Sequence, residues 1–335
     1  MIFGNDLQDW VADRERQRLT QAGIDAFQQH WNSSEAHLRF RSAMALLVDA
    51  RDAHAVAGTA RELFGDDGWV EALVDGLASA MARDPFFDPP FRAINSDIHR
   101  GLIVYEDALM TVTAGVSGAS QLAAKKNGER GATSVHFTGH VSVLKFVKSG
   151  GAVLSFWEAP AIGPNFSVTA AGRCVPTGAR SVADGEILTV DGRFQSYVID
   201  RVQSNLVVLQ AEIKTDQAPV AVEYDSATGA YVGCCATDDS ASRIQLLASL
   251  VRKLGHDDAF AALAEFLTHE DFFVRWHVMR ELLGIDAGAA LPLLRKMAEA
   301  DPHPDPRRAA HQVLARIAAN DAANARAPGE AAWRA

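Results

Sequence analysis

Between about residues 101 and 225 the chain sustains no helical period. It runs instead through short β-rich stretches, among them GLIVYED, ALMTVTAGV, FSVTAAGRCV, EILTV, RFQSYVID, NLVVLQAEI and AVEYD. Gly, Asp and Asn separate them, and Asp191-Gly192 suits a tight hairpin turn between two of them. No helical stretch intervenes between them, so a doubly wound parallel sheet is not expected. Eight or nine strands at this spacing therefore predict an antiparallel sandwich or barrel.

Both flanks read as helix. From residue 5 to about 95 apolar positions recur at three- and four-residue spacing, enough for three or so helices, until Pro85, Pro89 and Pro90 stop the pattern in an ordered linker. After about residue 239 the helical period returns. There HEDFFVRWHVMRELL at 269–283 lies over HPDPRRAAHQVLARI at 303–317, bringing His269/His303, Asp271/Asp305, His277/His311 and Leu283/Ile317 into step. A 34-residue period with a helix pair in each unit resembles the HEAT-type repeat. That resemblance implies a stacked helical surface suited to a protein or peptide partner. The fold class is thus α+β: an N-terminal helical segment and linker over 1–98, a β-barrel or sandwich over 99–238, helical repeats over 239–320 and a flexible tail over 321–335.

A net charge of −10 without any long basic run argues against nucleic acid and against anionic membrane surfaces as partners. The N-terminus carries Asp and Arg where a signal peptide needs an apolar stretch, which predicts a cytoplasmic protein. Cys174, Cys234 and Cys235 form no CxxC pair, and the adjacent two are expected to alternate across a strand as small apolar residues.

The chemistry-bearing stretch is TSVHFTGHVSVLKFVKSGGAVLSFWEAP at 133–160. If 135–148 is one strand, alternation places His136, His140 and Ser142 on one face. A three-residue turn at Ser149-Gly150-Gly151 then sets Ser142 opposite Glu158, whereas a two-residue turn sends Glu158 to the other face. In the first register two imidazoles and a carboxylate converge, the donor set of non-haem iron and of some zinc sites. Such a triad in an antiparallel barrel resembles the cupin superfamily, whose members include dioxygenases, isomerases and ligand binders. Its first motif, G-x5-H-x-H-x3–4-E-x6-G, is met here by His140 and Gly151, while Thr138 and Leu144 fall at ligand positions. Its second, P-x-G-x2-H, is met by Pro176 and Gly178 in a turn, with Ser181 in place of histidine. The resemblance implies a cupin-like barrel without the standard ligands, so that iron(II), zinc or manganese would need His136, His140 and Glu158, with His99 nearby.

The plain alternative is that these side chains are polar lining, with Trp157, Ser142 and His99 as pocket residues. His54 reads as an ordinary helix residue, and the repeat histidines His269, His277, His303 and His311 as packing echoes. The sequence contains neither a phosphate-binding loop nor a nucleophile elbow. Three functions follow. The first is an accessory or regulatory protein that holds a small molecule or peptide in the barrel and a partner on the repeats. The second is a metal-dependent enzyme of oxygenase type acting on a peptide or small molecule. The third is a homo-oligomer whose barrel is filled by Leu144, Phe146 and Phe156.

Overall fold

The computed structural model describes residues 4–66, 68–96, 99–126 and 134–326. The chain forms two compact units, one comprising Met1–Ala161, Arg173–Ala218 and Glu223–Val232, the other Ile162–Gly172, Pro219–Val222 and Gly233–Ala335.

The first unit begins with five helices where the period suggested three: α1 (Gly4–Ala12), α2 (Arg14–Asn32), α3 (Glu35–Ala45), α4 (Ala53–Leu63) and α5 (Gly68–Arg83). Short polar caps break the run. Asp13 accepts from the backbone N–H groups of Glu15 and Arg16, Ser34 from that of His37, and Asp52 from that of His54.

The strands are β1 (Arg92–Asn95), β2 (His99–Glu106), β3 (Met110–Ser117), β4 (Ser134–Phe137), β5 (Val141–Lys148), β6 (Val153–Glu158), β7 (Val175–Ser181), β8 (Ile187–Asp191), β9 (Gln195–Arg201), β10 (Leu206–Ile213), β11 (Val220–Asp225) and β12 (Tyr231–Ala236). A helix α6 (Ala119–Lys126) follows β3. One sheet has the order β1-β2-β3-β10-β5-β8, a second β7-β6-β9 and a third β12-β11-β4. Strands distant in sequence are thus interleaved, with β10 between β3 and β5 and β6 between β7 and β9, the double Greek key of a jelly roll, the architecture of cupins. The sheets are not closed into a barrel.

The six-stranded sheet has a core on each face. Val141, Val143, Leu209, Ala211 and Ile213 point towards the helices and pack with Phe40, Val56 and Phe64. Lys145 shares that side, buried, its Nζ donating to the carbonyl of Phe64 just past the end of α4 at 2.7 Å. On the other face Leu144, Phe146, Val190 and Leu206 meet Leu154 of the β7-β6-β9 sheet, with Phe156 and Tyr197 packed against them.

Several expectations change. Residues 135–148 are two strands in different sheets, because Gly139 takes a positive φ of 78° and turns the chain at Thr138–His140. The Ser149–Gly151 turn makes no hairpin: it carries the chain from β5 to β6 in the opposite sheet, so Ser142 faces Glu212 and Val190 rather than Glu158. Asp191-Gly192 likewise joins β8 of one sheet to β9 of the other. Pro176–Ser181 is strand β7 rather than a turn, and residues 168–170 form a single 3-10 turn rather than a strand. Cys234 and Cys235, both in β12, are exposed.

The second unit contains helices α7 (Asp239–Lys253), α8 (Phe260–Glu265), α9 (Phe272–Ile285), α10 (Ala287–Ala300) and α11 (Pro304–Arg326). Residues 327–335, the end of the expected tail, lie outside the described residues. The repeat has a physical basis in its caps. His269 Nδ1 accepts the backbone N–H of Asp271 at 3.1 Å, and His303 Nδ1 that of Asp305 at 3.2 Å, so each histidine fixes the entry to one helix. Arg275 and Asp301 form a buried bidentate pair, 2.7 and 2.9 Å, and the same guanidinium donates to the carbonyls of His269 and Glu270.

Candidate ligand site in the jelly roll

Cross-strand partners share a face, so the register of the six-stranded sheet assigns its inner lining. One row runs Glu106, Thr111, Glu212, Ser142, Val190, and the next Ile103, Thr113, Gln210, Leu144, Leu188. Beyond them lie Gly101, Gly115, Val208 and Phe146, and then His99, Ser117 and Leu206. The inner face is thus polar around Glu212, apolar around Val208 and Phe146, and polar again at His99 and Ser117.

In the rows around Glu212, Thr111, Thr113 and Ser142 are buried, and Gln210 Nε2 donates to Glu212 Oε1 at 2.9 Å. Glu106, at the margin, is matched by Arg92 and Lys214. His99 bonds Ser117 Oγ through Nδ1 at 3.2 Å. Its ring lies where a side chain on residue 115 would stand, which requires glycine there. His140 follows the Gly139 turn, and its Nε2 is fully buried without a hydrogen-bond partner. Glu212 lies within electrostatic reach of His99, His140 and Tyr197.

Burial holds His99 and His140 below the ordinary imidazole range, with Glu212 opposing, and His136 likewise, with Glu223 opposing. The three rings are therefore neutral at pH 7, each with one donor and one acceptor nitrogen. Burial, reinforced by Glu212, pushes the Tyr197 hydroxyl up to about 12, so it too stays neutral.

Of the residues singled out from sequence, Ser142 and His99 line this face. His136 and His140 lie near enough to influence each other's titration. Their carboxylate neighbours differ: Glu223 for His136 and Glu212 for His140. Glu158 is exposed at the end of β6, opposite Gln195 and Val175. Trp157 pairs with Ser196, and alternation turns it to the opposite face from Phe156. Glu212, Gln210 and Tyr197 escape sequence reasoning because they lie 61 to 76 residues beyond His136. The alternation in NLVVLQAEI, with Gln210 and Glu212 two apart, was the available signal.

The cupin resemblance implies a metal, and the donor set can be examined for one. Among the described residues no group of three or more His, Cys, Asp or Glu side chains is placed to hold an ion.

Comparison with known proteins agrees with the repeat. Residues 235–315 match the family of HEAT repeats. No curated protein matches the chain. Among solved structures, a cupin domain from Bordetella pertussis Tohama I is 16% identical over 36% of this chain and 98% of its own, with a TM-score of 0.22. Ectoine synthase from P. lautus is 10% identical over 37% of this chain and 69% of its own, TM-score 0.22. A sugar phosphate isomerase of the cupin superfamily from Silicibacter pomeroyi is 9% identical over 41% and 76%, TM-score 0.23. Likenesses at these scores carry no argument, and the jelly roll rests on the strand order above. Among the described residues no helix is long and apolar enough to cross a membrane.

The lowered histidines predict a pH dependence. His37, His99, His136, His140 and His277 all bind protons less readily folded than unfolded. The unfolded chain then takes up more protons as pH falls below about 6.5, so the stability these groups contribute is complete above that value and declines below it. Urea midpoints measured from pH 8 to 5 should fall on the acid side, and a flat profile would contradict the burial of these rings. His99→Gln and His140→Gln together should flatten the first unit's share.

Proposed function

We propose that the chain is a binding protein whose jelly-roll interior takes a small, neutral, hydroxyl-rich molecule and whose helical repeats engage a protein partner. The observation that carries the first half is the buried, partnerless His140 Nε2 within electrostatic reach of Glu212. A buried polar nitrogen costs about 1–3 kcal/mol unless bonded, and a ligand hydroxyl would bond it. The two polar rows contain two carboxylates, Glu106 and Glu212, an amide and hydroxyls but no Arg or Lys. Such a lining offers nothing to neutralise an anion and many partners for alcohols.

Saturation-transfer NMR with glycerol, xylitol and glucose tests this. Binding of at least one is expected, weakened roughly tenfold or more in Glu212→Gln and in His140→Ala, the scale of a lost hydrogen bond to a charged or buried group. Equal binding by native protein and both variants would remove the site. Iron, zinc or manganese at one per chain, lost in His140→Ala, would instead favour the metal enzyme.

The partner half is supported by α7. Leu246, Leu250 and Leu254 recur at four-residue spacing and are exposed by 69%, 46% and 63%, with Leu247 beside them at 57%. Lone surface leucines are ordinary, but a stripe on a helical repeat marks an association surface. A photo-crosslinking residue at position 250, expressed in cells, should join the chain to another protein. Crosslinks to this chain alone, or none, would refute a partner there.

A further inference from the structure

The outer face of the six-stranded sheet carries a cavity of its own, away from His140 and Glu212. It lies beneath α5 and has a volume of about 440 Å³, within the range of small-molecule sites. The floor is low because the cross-strand row Ala93, Leu102, Ala114, Leu209 places two alanines under the helix. Leu73, Val74 and Leu77 descend from α5 to form the roof. The apolar surface continues to the outside: Val74 is 54% exposed and Val116 41%. An apolar cavity of this size favours apolar guests over water.

One cation borders it. Arg100 lies in the row Asn95, Arg100, Val116, Val207, lines the cavity, is itself exposed, and has no acidic partner among the described residues. A purely apolar guest would leave that guanidinium beside hydrocarbon, and a polar guest would waste the walls. We propose that this cavity binds a single-chain amphiphile with a carboxylate head, its alkyl chain between α5 and the sheet and its carboxylate on Arg100 with Asn95 beside it. The site would let the protein respond to an alkyl carboxylate independently of the molecule held on the inner face.

Isothermal titration of the full chain with octanoate, and in parallel with 1-octanol, tests the assignment. One octanoate per chain is expected. Arg100→Gln should weaken octanoate by about fivefold, the strength of a partly exposed ion pair, while leaving 1-octanol unchanged. Val74→Trp, a substitution at an exposed position, should weaken both by filling the entrance, and Val116→Trp serves in its place if the first variant melts early. Glu212→Gln should bind octanoate as the native chain does, which separates this site from the inner one. Absence of octanoate binding, equal affinity of native and Arg100→Gln protein, or a chain that sediments as a dimer until Val74→Trp dissociates it would each overturn the proposal.

Discussion

Replacing Arg275 by alanine should destabilise the helical repeats by about 3–5 kcal/mol, most of the stability a small domain possesses. Both members of the Arg275–Asp301 pair are nearly inaccessible, with side-chain exposures of 5% and 3%. Removing the guanidinium strands the carboxylate in the interior and also frees the carbonyls of His269 and Glu270. Asp301 meanwhile receives the backbone N–H of His303 at 2.8 Å and, through its own carbonyl, Arg307, so the loss should spread to the next helix entry. Exchanging both partners for apolar residues of similar volume should cost far less, since no charge is left uncompensated. Hydrogen exchange along α9 to α11 gives the readout. If Arg275→Ala and the double apolar variant protect these amides equally well, the pair has no structural role.

Phe146→Ala should destabilise the first unit by a comparable amount, about 3–5 kcal/mol, through the lost transfer free energy and the hole left behind. Phe146 is 1% exposed and packs where the two sheets of the jelly roll meet, with Leu144, Leu154 and Leu206. It lies two positions from Leu144 and four from Ser142, in the apolar stretch of the inner face. Phe146→Leu, which keeps most of the volume, should retain most of the stability. A small loss in chemical denaturation of Phe146→Ala would mean that the sheets are not pressed together at this point.

The sequence reveals classes of structure better than it reveals neighbours. The change from helical to strand grammar and back is carried by local periodicity, so the α+β architecture, the sandwich and the repeat could all be read in advance. The 34-residue echo was readable for the same reason, and His269 and His303 in it are caps, as a packing explanation requires. Which strands pair is a nonlocal matter. A positive φ at Gly139 divides β4, which carries His136, from β5 of another sheet, which begins just after His140, and no composition rule announces it. Glu212 joins the site only because β10 inserts between β3 and β5. The PTGARS segment read as a turn because Pro and Gly favour turns, yet β7 is an edge strand, where both are tolerated.

The two-sided core of the six-stranded sheet has a consequence for the order in which a ribosome-bound chain can gain structure. The helices α3 and α4 and Trp31 at the end of α2 pack in one cluster with Val141, Leu209 and Ile213. That cluster therefore cannot close until residue 213 has emerged, however early its helices are made. The clusters of the repeat, drawn from Ala241–Ala290 and Met279–Ala310, are local by comparison and can form as their own segment is completed. The helices of this cluster thus wait for β10, far along the chain, before they are covered, and the interval in which their apolar faces stand exposed is when a nascent chain most needs protection from its neighbours.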